Sequence, residues 1–165
     1  MPQIAIFGNM WQKLDGTKLS GNILAEVEKT ILHERSMGNH LKVCIGTDSQ
    51  VYGEVVEYAT VIVFVREKRG GFMYIKTDKG KANIGVKERM LNEVAKSIDI
   101  AYQLCDLLDK YDVDLEVHAD INTSPQFKSN SALSEAMGYI LSMGFIFKAK
   151  PNAFASSYCA NKVVN

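Results

Sequence analysis

Apolar and polar positions along the chain follow two periods. Leu41 to Gln50 alternates, with Val43, Ile45 and Thr47 on one face of an expected strand and Cys44, Gly46 and Asp48 on the other. After a turn at Tyr52-Gly53-Glu54, Val55 to Arg66 forms a second strand. Its run Val61-Ile62-Val63-Phe64-Val65 is apolar on both faces, as in a sheet covered on both sides. Lys68-Arg69-Gly70-Gly71 turns the chain into a third strand, Phe72 to Thr77, and the short connections make these three an antiparallel meander. Val113 to Asp120 alternates again, Val113, Leu115, Val117 and Ala119 against Asp114, Glu116, His118 and Asp120. A fifth strand runs from Phe145 to Lys150, where Pro151 stops it.

Helical spacing fills the intervals. Ser20 is placed to cap a helix from Gly21 to Arg35 carrying Ile23, Leu24, Val27, Ile31 and Leu32, and Met37-Gly38-Asn39 ends it. The longest helix, Val86 to Tyr111, is striped by Met90, Val94, Ala101, Leu104 and Leu108. Ser129 to Met143 points Leu133, Met137, Ile140 and Leu141 inward. Asn152 is placed to cap a terminal helix from Ala153, whose Ala and Ser residues suit close packing on a sheet. Residues 1–19 are a lead-in with a turn at Asp15-Gly16 and the single tryptophan, Trp11. After the leading helix the order is β-β-β-α-β-α-β-α. It implies one α/β domain with a mixed five-stranded sheet, antiparallel first and parallel later, and helices on both faces. Residues 1–40 are then a lead-in and helix packed on the core, and residues 41–165 the domain proper.

Composition narrows the class. Among 165 residues, 47% are hydrophobic and 23% charged, which excludes a disordered tail. The 19 basic and 19 acidic residues balance, so a strongly basic clamp for nucleic acid does not describe the whole chain. Charge is uneven along it, however: residues 66–89 are basic and residues 90–125 acidic. Cys44, Cys105 and Cys159 are odd in number and far apart, which fits neither a disulfide framework nor a structural zinc site and suits a reducing compartment. No apolar stretch approaches the ~20 residues of a membrane helix, so the expected location is the cytoplasm, with no membrane partner.

The candidate chemistry lies at strand ends. In this topology the first strand is central and the fourth pairs beside it in parallel, which sets Asp48 and Asp120 side by side. Two carboxylates forced together repel unless a proton or cation intervenes, and hard ions such as Mg²⁺ favour an all-oxygen site. Glu93 shares a helix face with Ser97, Ala101, Leu104 and Leu108, the face that packs on the sheet. Glu88 is the competing acid, although its place in the first turn is explained by the helix dipole. Singly, Asp48 and Asp120 are also turn formers and Glu93 a solvated helix residue. His118 is a structural hydrogen-bond partner or a group in the chemistry, Cys44 and Cys159 are small core residues, and Lys148 and Lys150 are the solvated face of the fifth strand. The basic stretch 66–89 is either an exposed hairpin tip or the source of phosphate contacts. The chain has no phosphate-binding glycine loop, dinucleotide fingerprint, zincin motif or nucleophile elbow.

The stretches Ile45-Gly46-Thr47-Asp48-Ser49-Gln50, Val117-His118-Ala119-Asp120-Ile121-Asn122 and Lys150-Pro151-Asn152-Ala153-Phe154-Ala155-Ser156-Ser157 resemble a family of small bacterial proteins of the YkuK type. These are regarded as nucleases of the ribonuclease H-like superfamily, and the element order is that of the ribonuclease H-like fold. The resemblance implies a metal-dependent hydrolase of nucleic-acid phosphodiesters (RNA, RNA–DNA hybrid or DNA) using two Mg²⁺ or Mn²⁺ ions. Asp48 would bridge the ions and Glu93 and Asp120 would hold one each; Glu93 lies in Arg89-Met90-Leu91-Asn92-Glu93-Val94. A fourth ligand is expected in a last-helix stretch of the form A-D-K, which here is Ala160-Asn161-Lys162, so Asn161 brings a neutral oxygen where the family has a charge. The rival from another class is a non-catalytic module of the same fold that binds nucleic acid or protein.

Overall fold

The strand Val55–Arg66 carries its two-sided apolar run into the middle of the molecule, where Val61, Ile62, Val63 and Phe64 are no more than 6% exposed. Around it the computed structural model describes residues 10–122 and 130–165. The expectations for residues 1–9, for a helix start at Ser129 and for the Leu133 side chain lie outside what is described. In chain order the elements are β1 (Gln12–Lys13), α1 (Ile23–Ser36), β2 (Leu41–Tyr52), β3 (Val55–Arg66), β4 (Gly71–Lys81), α2 (Val86–Lys110), β5 (Asp114–Asn122), α3 (Asn130–Ser142) and β6 (Ile146–Lys150). A closing helix, α4, follows; it has π geometry over Ala155–Ala160 and α geometry over Asn161–Val164.

The sheet runs β1-β4-β3-β2-β5-β6. Its first half is antiparallel, and β2, β5 and β6 are parallel. The mixed α/β architecture therefore stands, with six strands rather than five. The extra strand is short: Asp15 and Gly16 fold the lead-in back, the Asp15 carboxylate accepts from the Thr17 N–H at 2.9 Å, and Gln12 and Lys13 pair with Ile75 and Tyr74. Gly16 has φ +92°, a left-handed backbone that an L side chain resists.

Each sheet face has its own apolar cluster. Val43, Ile45, Ile62, Phe64 and Val117 meet Val27 and Ile31 of α1, Leu104 and Leu108 of α2 and Ile140 of α3 on one side. On the other, Cys44, Val61, Val63 and Ile75 meet Ala155 and Ala160 of α4. Parts of the helical expectations fail at the edges. Leu24, Leu32 and Leu141 are exposed, because one sheet face receives a narrower stripe than every apolar position allows. Asn22, not Ser20, caps α1, its side chain accepting from the Ala25 N–H at 2.8 Å. Asn152 makes no cap either, since the Ala155 N–H donates to the His118 Nδ1 at 3.1 Å instead.

Among the described residues no helix is long and apolar enough to cross a membrane.

Gly46 fixes how close α4 comes. A Cβ at this position would lie 2.5 Å from the Ser156 nitrogen and 2.6 Å from the Ala155 carbonyl carbon. The helix backbone therefore rests on the bare backbone of β2, two residues before Asp48.

Candidate active site

Paired backbone between β2 and β5 ends at Gly46 and His118. Two residues further on, in the same register, stand Asp48 and Asp120, so the aspartates lie just past the last bonded pair. Between β5 and β6 the register shifts over His118 to Asn122, which places Asp120 in an irregular stretch. The strands stop constraining each other where the acids begin.

Two helices close on this gap from opposite faces. From α2, Ser97 bonds Thr47 at 2.7 Å, and one turn earlier the Glu93 carboxylate accepts from the Ser49 hydroxyl at 2.7 Å. Glu88 is exposed in the first turn of α2, so Glu93 is the helix acid that joins the strand ends. From α4, the Asn161 amide donates to the Asp48 Oδ2 at 2.8 Å, and the Ser157 hydroxyl donates to the Asp120 Oδ1 at 2.9 Å. The Tyr52 hydroxyl donates to the Val164 carbonyl and pins the end of the same helix. All four residues singled out in the sequence thus meet just past the last bonded pair of β2 and β5.

The electrostatics follow from burial. Asp48 is 7% exposed, and burial raises its carboxyl above the ordinary value; Asp120 adds to the rise, while Asn161, the Ser49 backbone and Glu93 oppose it. Burial also pushes Glu93 up to about 8, with Asp48 and Asp120 reinforcing the push against Ser49 and Arg89. A set of hard oxygen donors that must otherwise trap a proton at neutral pH fits Mg²⁺ or Mn²⁺, because the cation supplies the missing positive charge.

Lys150 departs from expectation. Its ammonium lies 3.0 Å from the Asp120 Oδ1 and is not simply a solvated lysine of β6. The end of β6 falls opposite Asn122, beyond the irregular stretch, and this carries Lys150 alongside Asp120. Ser49, Ser157 and Lys150 all lie within the stretches that carry the family resemblance, so the signal was present without its geometry.

A second polar cluster lies beneath α4. The Sγ of Cys44, a Glu116 oxygen and a His118 ring nitrogen all fall within 4.8 Å of one another. Cys44 and Glu116 are register partners across β2 and β5, a contact that only the pairing of distant strands reveals. The His118 Nδ1 accepts from the Ala155 N–H, so its Nε2 carries the proton and bonds the Glu116 Oε1 at 3.0 Å. Burial lowers the His118 pKa and keeps the ring neutral. Burial works against the Glu116 carboxylate, but His118 and Lys42 outweigh it and hold Glu116 below its usual range. Burial pushes the Cys44 thiol up to about 12. A cation on Nε2 would displace its proton to Nδ1, which already faces an N–H donor. The cluster serves as a hydrogen-bonded clamp for α4, the structural role open to His118 from the sequence.

The basic stretch divides between the two ends of the sheet. Arg66 forms a two-pronged ion pair with buried Glu34 at 2.8 Å, and Arg69 bonds Asn39, both away from the acids. At the acid end, Lys79 and Lys81 line a cavity of about 310 Å³ with Asn92, Tyr58 and Lys96 of α2, whose ammonium is paired with Asp78 at 2.7 Å. Asn92 adjoins Glu93 and bonds the Tyr58 hydroxyl at 3.2 Å, while Tyr58 pairs with Ser49. This basic cavity therefore lies one strand away from the acids.

A family model described as ribonuclease H-like matches residues 22–165. The uncharacterized protein YkuK of Bacillus subtilis (strain 168) is 30% identical over 132 residues, which span 72% of this chain and 76% of that protein. No solved structure matches the chain.

Proposed function

The chain belongs to the ribonuclease H-like family, and from that premise we propose that it hydrolyses nucleic-acid phosphodiester bonds at Asp48, Glu93 and Asp120 with a divalent cation. The observation that carries the reading is the convergence of three carboxylates, two from just past the last paired residues of β2 and β5 and one from α2, into a pocket where burial, reinforced by the two aspartates, pushes Glu93 up to about 8. Asp48, Glu93 and Asp120 would hold Mg²⁺ or Mn²⁺, with Asn161 steering Asp48. When bound, the cation lowers the pKa of water and offsets charge on the phosphate. Ser49 and Ser157 orient Glu93 and Asp120 by donating to one oxygen of each. Lys79 and Lys81 would bind the phosphates flanking the scissile bond, Lys96 beside them being paired with Asp78 at 2.7 Å, which suits a polyanion better than a small monoester. No side chain need act as nucleophile.

The test is cleavage of end-labelled RNA, RNA–DNA hybrid and single-stranded DNA with Mn²⁺. Cleavage of at least one that stops with chelator supports the reading; intact substrates throughout overturn it. The rival reading, a binding module, draws on Asn161 standing where the family has an acid, and it predicts retained nucleic-acid binding without cleavage.

A pH dependence follows. Because the Glu93 carboxyl stays protonated up to about 8, a cation entering below that pH must release its proton. Mn²⁺ affinity is therefore expected to rise up to about tenfold per pH unit between pH 6 and 8 and to level off above it. Calorimetric titrations in buffers of different ionisation enthalpy will read close to one proton released per ion at pH 6.5. Glu93→Gln is expected to flatten the profile.

A further inference from the structure

We propose that Lys150 provides the second positive charge of this site, so that the protein binds one divalent cation there and not a pair. The inference rests on the metal-dependent reading above and concerns how the site is completed. It begins from the two donors on the Asp120 Oδ1: the Lys150 ammonium at 3.0 Å and the Ser157 hydroxyl at 2.9 Å. On the opposite flank, the Asp48 Oδ2 receives the Asn161 amide at 2.8 Å. An amide that donates to the carboxylate turns its N–H groups, not its oxygen lone pairs, toward that side. Each flank of the acid cluster is thus held by a donor from the protein. The place left for an ion is between them, among Asp48, Glu93 and Asp120.

Charge balance points the same way. Three carboxylates carry three negative charges when ionised, and one divalent ion together with the Lys150 ammonium neutralises them. Two divalent ions plus that ammonium would leave the pocket two charges in excess. Asn161 and Lys150 therefore act together: α4 brings a neutral amide to Asp48, and the strand before that helix brings a cation to Asp120. The Lys150 side chain is 46% exposed at the mouth of the site, so its ammonium can face both Asp120 and the phosphate of a bound strand.

Titration calorimetry with MnCl₂ on the full chain at pH 8 and low salt tests this, using wild type, Lys150→Met, Lys150→Arg and Asp48→Asn. Wild type is expected to take up one ion, and Asp48→Asn is expected to lose that uptake. Lys150→Met is expected to take up a second, weaker ion, and Lys150→Arg to return to one. The exposed position of Lys150 predicts that both its variants unfold at the wild-type midpoint. Two ions in wild type would overturn the inference and leave the metal-dependent reading in place. An unchanged titration in Lys150→Met would overturn it as well. No uptake by wild type, or uptake untouched by Asp48→Asn, would overturn both.

Discussion

Asp48→Asn is expected to lower cation-dependent cleavage about a thousandfold without unfolding the protein. A site cation contributes several kcal/mol of transition-state stabilisation, and each 1.36 kcal/mol is a factor of ten in rate. The substitution keeps the shape of the side chain, and the new amide oxygen can still accept from Asn161, which now bonds the Asp48 Oδ2. It removes the negative charge on which any ion depends. The sign of the stability change separates this loss from damage to the fold. Burial raises the Asp48 carboxyl above its ordinary value, so its ionisation costs the folded state stability as pH rises above that ordinary value. Asp48→Asn should therefore unfold at or above the wild-type temperature in chelator at pH 8, while Mn²⁺ should raise the melting temperature of wild type alone. Thermal unfolding with and without Mn²⁺, beside initial cleavage rates, checks both halves.

Gly46→Ala is expected to destabilise the protein strongly for so small a substitution. The added methyl would meet the backbone of Ala155 and Ser156 at 2.5 to 2.6 Å, and backbone cannot rotate aside as a side chain can. Overpacking of this kind costs about 1–3 kcal/mol or more, which in a chain of this size lowers the melting temperature on the order of 5–10 °C. The site should suffer too, because lifting α4 draws Asn161 away from Asp48 and Ser157 away from Asp120. Gly138→Ala serves as the control: it lies within α3, and a Cβ there would meet nothing within 4 Å. It is expected to leave activity intact and to gain up to about 1 kcal/mol from helix propensity. Urea unfolding of the three proteins measures the difference.

The legible parts of this molecule are those that local chemistry dictates. The two-sided apolar run of β3 has no alternative but a covered strand, and its bounds agree with the periodicity. The ends of β2 and β4 do not show in the pattern, because Val51, Tyr52, Lys79, Gly80 and Lys81 are exposed and stay extended only by pairing across the hairpin. Asp48 and Asp120 could be placed together since both fall toward the same end of one parallel strand pair, and Glu93 since it shares a face with Ser97. The contact of Lys150 with Asp120 was hidden, for it depends on an irregular register between β5 and β6. The Cys44, Glu116 and His118 cluster was hidden for a similar reason: a sequence shows that Glu116 and His118 share a face but not that Cys44 lies across from them. Capping is not legible at either helix because several side chains compete, and the observed acceptors, Asn22 for α1 and His118 for α4, are set by tertiary position.

Anomalous diffraction from crystals soaked in Mn²⁺ gives the most immediate view of the central claim. An anomalous peak within coordination distance of Asp48, Glu93 and Asp120 together, with Lys150 still against Asp120, is the result this account predicts. Density for manganese elsewhere on the chain, or the Lys150 ammonium lying among the three carboxylates with no ion beside them, would contradict it.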